Sequence, residues 1–311
     1  MQIPKRFHHR QFADGGALAT MKNGRRISVC IPTLDEAETI ADIVTSIRQD
    51  LVERCRLVDE IIVMDSGSSD GTVEIARAAG AIAFLAADVA PHLGNHSGKG
   101  ENLWKSLHVA SGDIICYVDG DISNFHSGFI TGLVGPLLTD PAIDYVKAYY
   151  ERPLANGDGN PTTGGGRVSE ILIRPLISMF YPELAGVLQP LSGEYAARRA
   201  TLESLAFPTG YGVEIAHLID LTRDGRLDRL AQTDLVRRVH RNRGEDELGA
   251  MAFALLKVVL RRLSRDGKLT LSHPLTDHYQ TWVAAEEEVR HVSRSIPEPE
   301  RPPLRPIRAD A

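Results

Sequence analysis

Four short apolar runs, at 26–32, 60–64, 81–85 and 114–118, alternate with segments whose apolar residues recur at helical spacing, such as Ile40, Ile43, Val44 and Ile47. A helix through Val73, Ile75 and Ala76 and another over 101–110 fill the remaining gaps. The order strand, helix, strand, helix, strand, helix, strand predicts a mainly parallel sheet with right-handed crossovers and helices on both faces. Open sheets of this kind bind ligands in the crevice beyond the carboxyl ends of their strands. Three polar sets fall there: residues 32–36, Asp65 with Ser66, and residues 119–121.

The last set is the most telling. The run Ile114-Ile115-Cys116-Tyr117-Val118 stops on Asp119-Gly120-Asp121. Strand side chains alternate with period two, so both aspartates can face one way, and Gly120 lets a backbone or ligand come close. Converging carboxylates repel, and a divalent cation with its preference for oxygen ligands is the usual reason to hold them together. An isolated Asp-x-Asp is more often a pair of solvated loop aspartates. A parallel-sheet strand end reverses that expectation.

Two nucleotide-binding signatures are missing. No Gly-x-Gly-x-x-Gly follows the first strand, and 94–100 is one residue short of a P-loop, with no Ser or Thr after Lys99. The formal charge of −6, from 35 basic and 41 acidic residues, argues against a general nucleic-acid binder but allows a local anion pocket. Cys30, Cys55 and Cys116 lack metal or redox spacing and read as reduced residues of a cytoplasmic protein. No segment approaches the about 20 apolar residues of a membrane span, nor do basic residues 5–10 precede a signal-peptide core.

Beyond a fifth strand at 145–150, a glycine- and asparagine-rich loop over 155–163 leads to Gly164-Gly165-Gly166-Arg167-Val168-Ser169 and a helical pattern through Ile171, Leu172, Leu176 and Ile177. Glycines opening a helix expose amides at its positive end, and an arginine there suits phosphate or carboxylate; a flexible loop with a solvated arginine is the equal alternative. A turn and strand at 189–195 precede Gly210-Tyr211-Gly212-Val213-Glu214 and a helix through Leu218, Ile219 and Leu221. The stretch 229–239 alternates as a strand and ends on His240-Arg241-Asn242-Arg243. An acidic start at 245–247 and a basic finish at Lys257, Arg261 and Arg262 bracket an amphipathic helix, a core element or a subunit contact. Residues 1–24 read as an extension with one short helix, and 296–311 as a proline-rich arm on the surface.

Taken together, these motifs resemble the glucosyl-3-phosphoglycerate synthases. The likeness runs from Ile27 to Met251 and rests on Ile31-Pro32 with Leu34 and Glu36, on Asp65-Ser66-Gly67-Ser68, on Gly98-Lys99-Gly100-Glu101 and on Pro136-Leu137-Leu138. It continues through the Gly164–Arg167 loop, 188–195, 210–214 and 240–243. The resemblance implies a Rossmann-like GT-A fold of α/β class with a smaller acceptor-binding C-terminal part. It also implies retaining transfer of glucose from UDP-glucose to the 2-hydroxyl of 3-phosphoglycerate. Divided accordingly, 1–24 is the extension, 25–150 the nucleotide-sugar region, 151–265 the acceptor region and 266–311 a C-terminal segment with the tail.

On this resemblance Pro32, Leu34, Glu36 and Ser66 would hold uridine and ribose, with Gly120 alongside and Lys99 at the base end or diphosphate. Asp121 and His240, with Asp119 nearby, would hold Mg²⁺ or Mn²⁺. Glu214 and the backbone near Leu191 would face the glucose, while Gly166, Arg167, Ser169, Tyr211 and Asn242 would hold the acceptor. Asp119, Asp121, Lys99, Arg167 and Glu214 form the expected catalytic set, with Ser169 where the family carries threonine. Transfer is expected on the face UDP leaves, since no carboxylate stands out as a nucleophile. The resemblance further implies a homodimer, no membrane or nucleic-acid partner, and a product serving as compatible solute or as precursor of methylglucose polysaccharides. The rival readings are a mannosyl-3-phosphoglycerate synthase using GDP-mannose or both donors, a polyprenyl-phosphate glycosyltransferase, and a non-catalytic nucleotide-sugar-binding regulator.

Overall fold

A computed structural model of the chain describes residues 3–151, 153–155, 161–163, 166–239, 245–285 and 288–304. The strands in chain order are β1 (Lys5–His8), β2 (Ile27–Thr33), β3 (Glu60–Asp65), β4 (Ile82–Leu85), β5 (Ile114–Tyr117), β6 (Tyr145–Glu151), β7 (Pro153–Ala155), β8 (Pro161–Thr163), β9 (Tyr195–Arg198), β10 (Phe207–Pro208), β11 (Leu230–Arg237), β12 (His278–Ala285), β13 (Glu288–Ser295) and β14 (Glu300–Arg301). The α-helices are α1 (Gly15–Met21), α2 (Ile40–Ile47), α3 (Thr72–Ala79), α4 (Lys99–Val109), α5 (Gly128–Thr139), α6 (Arg174–Phe180), α7 (Arg199–Glu203), α8 (Val213–Arg223) and α9 (Glu245–Arg265).

The central sheet runs β1-β11-β6-β9-β5-β2-β3-β4, and β9 alone runs against the other seven strands. Both faces are apolar because period-two alternation sends successive residues to opposite cores. Val29, Ile31, Ile61, Val63, Cys116 and Val118 join Leu133, Leu137 and the apolar faces of α2 and α3 on one side. Cys30, Ile62, Met64, Ile115 and Tyr117 join Leu103, Leu107, Leu218 and Leu255 on the other. The α/β class, the parallel pairing and helices on both faces are as the sequence predicts.

Two terminal readings are corrected. Residues 5–8, taken as part of an extension, form the edge strand β1, parallel to β11 from Lys5↔Ala231 to His8↔Asp234. Four residues are too few to show a period in sequence, and the sheet edge supplies what local propensity does not. Of the predicted proline-rich arm, the described residues 296–304 do not trail over the surface: β14 pairs antiparallel with β10, and Arg301 is 8% exposed. Among the described residues no helix is long and apolar enough to cross a membrane.

Candidate active site

The carboxyl ends of β2, β3 and β5 open on one crevice, as the topology requires. Gly120 sits against the β2 loop so closely that a Cβ there would lie 3.0 Å from Thr33 Cγ2 and 3.3 Å from Glu36 Cγ. The Thr39 hydroxyl donates to the Gly120 carbonyl at 2.5 Å. Pro32, Glu36 and Ser66 are half-buried along this wall and Leu34 is exposed. Buried Asp65 organises the turn behind them, accepting from Thr33 Oγ1 at 2.7 Å, from the amides of Gly67 and Ser68, and from Ser68 Oγ.

Lys99 opens α4, and its flanking glycines have a packing reason. Gly100 and Glu101 donate their amides to the Gly210 and Thr209 carbonyls at 3.1 and 2.9 Å. A Cβ on Gly100 would fall 1.8 Å from the Pro208 carbonyl oxygen, so only glycine fits. These first-turn amides are therefore engaged by protein and do not cradle phosphate. Lys99 Nζ reaches Asp119 Oδ1 at 2.6 Å and Glu214 Oε1 at 2.8 Å. Burial pulls the ammonium's pKa down, but Asp119, Glu214 and Glu194 outweigh it and hold the pKa well above an ordinary lysine's.

Sequence reasoning missed the residue at the centre. Arg238 Nη2 donates to Asp119 Oδ2 at 2.9 Å and Asp121 Oδ1 at 2.7 Å. Its Nε lies 2.8 Å from Glu194 Oε1, a charge contact in which the hydrogen-bond geometry is not aligned. The guanidinium lies 5.9 Å from the centroid of the Tyr150 ring, and the Tyr150 hydroxyl donates to Glu194 Oε2. Burial pushes the Glu194 carboxyl's pKa up against the pull of Arg238. A bulge aims the arginine inward: the β11–β6 register shifts between Asp234 and Arg237, with Val236 at φ +69°. Past it the Arg238 amide donates to the Glu151 carbonyl. A signal was present in the arginine pair closing 229–239, but the bulge that turns one inward is not legible from alternation.

Gly193 forms the floor of the cluster. A Cβ there would lie 2.3 Å from both Asp119 Oδ2 and Lys99 Nζ. Gly193→Ala is therefore expected to displace both charges and lower kcat/KM about a hundredfold with circular dichroism unchanged, since a shift of about 1 Å at a reacting centre costs that much. Activity within threefold of wild type would show that the cluster tolerates displacement.

The structure also describes several other expected residues. Leu191 is half-buried before this floor, and Gly166, at φ +88°, is followed by exposed Arg167 and buried Ser169. Tyr211 is 39% exposed, just before α8. His240 and Asn242, together with Gly164 and Gly165, lie outside the described residues. The chain leading to them is fixed: the Val239 amide donates to Asn124 Oδ1 at 2.8 Å, and its carbonyl accepts from the Ser123 amide at 3.0 Å.

Among the described residues no group of three His, Cys, Asp or Glu side chains is arranged to hold a metal. The chemistry nevertheless fits a divalent cation. Asp119, Asp121, Glu194 and Glu214 converge on Lys99 and Arg238, four carboxylates facing two cationic side chains. Two negative charges of excess at a crevice mouth suit a hard cation taking oxygen ligands.

Residues 28–202 match the glycosyl transferase family 2 model. The glucosyl-3-phosphoglycerate synthase of Petrotoga mobilis is 48% identical over 304 residues, covering 97% of this chain and 94% of the relative. That of Mycobacterium tuberculosis is 49% identical over 257 residues, covering 82% and 78%. The crystal structure of the Mycobacterium tuberculosis enzyme with Mn²⁺, UDP and glucosyl-3-phosphoglycerate superposes with a TM-score of 0.84 at 40% identity, covering 97% of this chain and 98% of that one. The mannosyl-3-phosphoglycerate synthase of Rubrobacter xylanophilus gives 0.88 at 34% identity, covering 96% of each chain. With its GT-A sheet and its strand-end aspartates, the chain belongs to glycosyl transferase family 2 and, within it, to the glucosyl-3-phosphoglycerate synthases.

Proposed function

We propose that this chain is a metal-dependent hexosyltransferase that moves glucose from UDP-glucose to the 2-hydroxyl of 3-phosphoglycerate with retention. The observation that carries the reading is the strand-end cluster, in which Lys99 and Arg238, themselves paired with Glu214 and Glu194, hold Asp119 and Asp121 at the crevice. Its support from outside is the synthase of Mycobacterium tuberculosis, whose crystal structures hold UDP-glucose with phosphoglyceric acid and Mn²⁺, or UDP with Mg²⁺.

In this reading Pro32, Leu34, Glu36 and Ser66 line the uridine and ribose subsite, with Gly120 beside them. Asp121 and His240 would hold Mg²⁺ or Mn²⁺ with Asp119 alongside, and the cation's chemistry is to offset negative charge on the departing diphosphate. Glu214 and the Leu191 backbone face the sugar. Lys99 adds fixed positive charge beside the leaving group, pre-organised by its two carboxylates. Gly166, Arg167, Ser169, Tyr211 and Asn242 form the acceptor subsite, where an arginine and backbone amides suit phosphate and carboxylate. Donor residues thus gather within 25–150 and acceptor residues within 151–265, with Leu191, Glu214 and His240 reaching back.

Retention follows from same-face attack. Asp119, Asp121, Glu194 and Glu214 each pair with Lys99 or Arg238, which lowers their nucleophilicity. Orientation of the two substrates supplies the remaining acceleration. The chain is further proposed to act in the cytoplasm, consistent with free Cys30, Cys55 and Cys116, and to do so as a homodimer. Its product is proposed to serve as a precursor of glucosylglycerate, either as a solute or for methylglucose polysaccharides. Cell fractionation, light scattering and metabolite analysis of a deletion strain test these three points.

The deciding experiment measures UDP release from UDP-glucose with and without Mg²⁺ or Mn²⁺, offering 3-phosphoglycerate or unphosphorylated glycerate, with a GDP-mannose arm. Metal-dependent turnover with 3-phosphoglycerate alone, an α-linked product and no glucosyl-enzyme trapped by a fluorinated donor is the expected result. Because the Rubrobacter xylanophilus enzyme shares the fold, turnover with GDP-mannose in place of UDP-glucose would move the assignment to the mannosyl reaction.

A further inference from the structure

The segment after the β12–β13 hairpin is strapped across the molecule by its backbone. Lys257 Nζ donates to the Ile296 and Pro297 carbonyls at 2.7 and 3.1 Å, and Arg261 Nη1 to the Glu298 carbonyl at 2.5 Å. The Thr209 amide donates to the Pro299 carbonyl at 2.9 Å. Arg301 forms a two-pronged pair with Glu101 at 2.7 and 2.8 Å, and Trp104 Nε1 donates to the Pro302 carbonyl at 3.0 Å. The strap is thereby tied to α9, to the loop before α8 and to the first turns of α4.

Glu298 is its most constrained residue. It is 6% exposed and holds φ at +47°, a left-handed conformation that a non-glycine residue adopts at a cost. Its Oε1 accepts the Gly210 amide at 3.0 Å. Burial raises the carboxyl's pKa, and the Gly210 and Gly212 amides oppose that rise. A Cβ on Gly210 would lie 2.3 Å from Glu298 Oε2, so the approach requires glycine. Helix α8 begins after Gly212, an N-cap residue with no side-chain acceptor. Glu298 places an anion beside this helix start, where the dipole favours it, while its hydrogen bond goes to the loop before the helix.

Between the two glycines stands Tyr211. We infer that Glu298 is a positioning residue for acceptor binding: by holding the Gly210 amide it fixes the loop that presents Tyr211 to 3-phosphoglycerate. The inference rests on the proposed acceptor role of Tyr211. Glu214, one turn on, is held independently by Lys99 at 2.8 Å, so the effect falls on the acceptor side.

Steady-state kinetics of the full chain with UDP-glucose, 3-phosphoglycerate and Mn²⁺ would compare Glu298→Ala, Glu298→Gln and Tyr211→Ala. Glu298→Ala is expected to raise KM for 3-phosphoglycerate about tenfold, and Glu298→Gln about threefold because its amide oxygen still accepts. KM for UDP-glucose should stay within about twofold in both, whereas a merely structural role would lower the active fraction without moving either KM. An acceptor KM unchanged in Glu298→Ala while Tyr211→Ala raises it overturns the inference, as does an equal rise for both substrates. An acceptor KM unchanged in Tyr211→Ala overturns the acceptor reading and the inference with it. Should Glu298→Ala fail to fold, Glu298→Gln carries the comparison, and a wild-type acceptor KM there is the overturning result.

Discussion

Replacing Asp121 with alanine is expected to lower kcat/KM by at least about a thousandfold, the scale of losing charge stabilisation on a leaving group. The fold should survive. Asp121 sits at the crevice mouth with its side chain 19% exposed, where it pairs with Arg238 at 2.7 Å. Without Asp121, Arg238 keeps Asp119 and Glu194, so no charge is left buried and alone. The melting temperature should move by no more than about 3 °C, because removing a carboxylate from an acidic cluster also relieves repulsion. Titration of Mn²⁺ against the purified protein, followed by the metal's own magnetic resonance signal, gives a readout independent of turnover. Affinity should fall at least about tenfold in Asp121→Ala, a weakening of the size seen when a ligand or its supporting group is lost. Wild-type Mn²⁺ affinity in the variant would mean that the cation is held elsewhere.

The second large effect belongs to stability. Arg238→Met removes the cation shared by Asp119, Asp121 and Glu194, and Glu194 is fully buried while Asp119 keeps Lys99. Breaking a buried ion pair by removing one partner costs about 3–5 kcal/mol, because the remaining charge is uncompensated. In a protein of this size that amounts to about 10 °C in Tm. The deficit should depend on pH in a defined direction. Glu194's carboxyl, already raised above its ordinary 4.5 by burial, loses the cation that opposes the rise. A carboxyl whose folded-state pKa is raised holds its proton longer folded than unfolded, so stability falls as pH climbs above 4.5. The gap between variant and wild type should therefore be smallest near the acid end and widen toward neutrality. Adding Glu194→Gln should recover most of the loss, and Mn²⁺ should recover part by taking over Asp119 and Asp121. Thermal melts across pH, with and without metal, measure all of this. A single variant melting within about 2 °C of wild type would show that Arg238 does not neutralise the cluster.

Much of the crevice wall was legible in sequence because its residues follow the strands that position them. A strand end is a local event: apolar alternation stops and polar residues begin, as at Thr33, Asp65 and Asp119. Lys99, opening a helix between two glycines, was equally visible, although the glycines serve Pro208 and Gly210 and not a phosphate. Arg238, Glu194 and Tyr150 were not identified as a unit, since they come from three separate stretches and meet through a bulge in one strand.

The sequence by itself determined the α/β alternation, the two-sided apolar core, the carboxylates at the crevice and the family. These depend on periodicity and on short motifs, which are properties of neighbouring residues. Tertiary structure alone decided that β9 runs against its neighbours, that β1 closes the sheet edge, that Arg238 bridges both aspartates, and that Glu298 holds the Gly210 amide 88 residues away in the chain, in the loop before a helix. The physical reason is common to all four. Each pairing joins groups far apart in sequence, and its partner is chosen by which buried donor or charge is left unsatisfied once the sheet has formed.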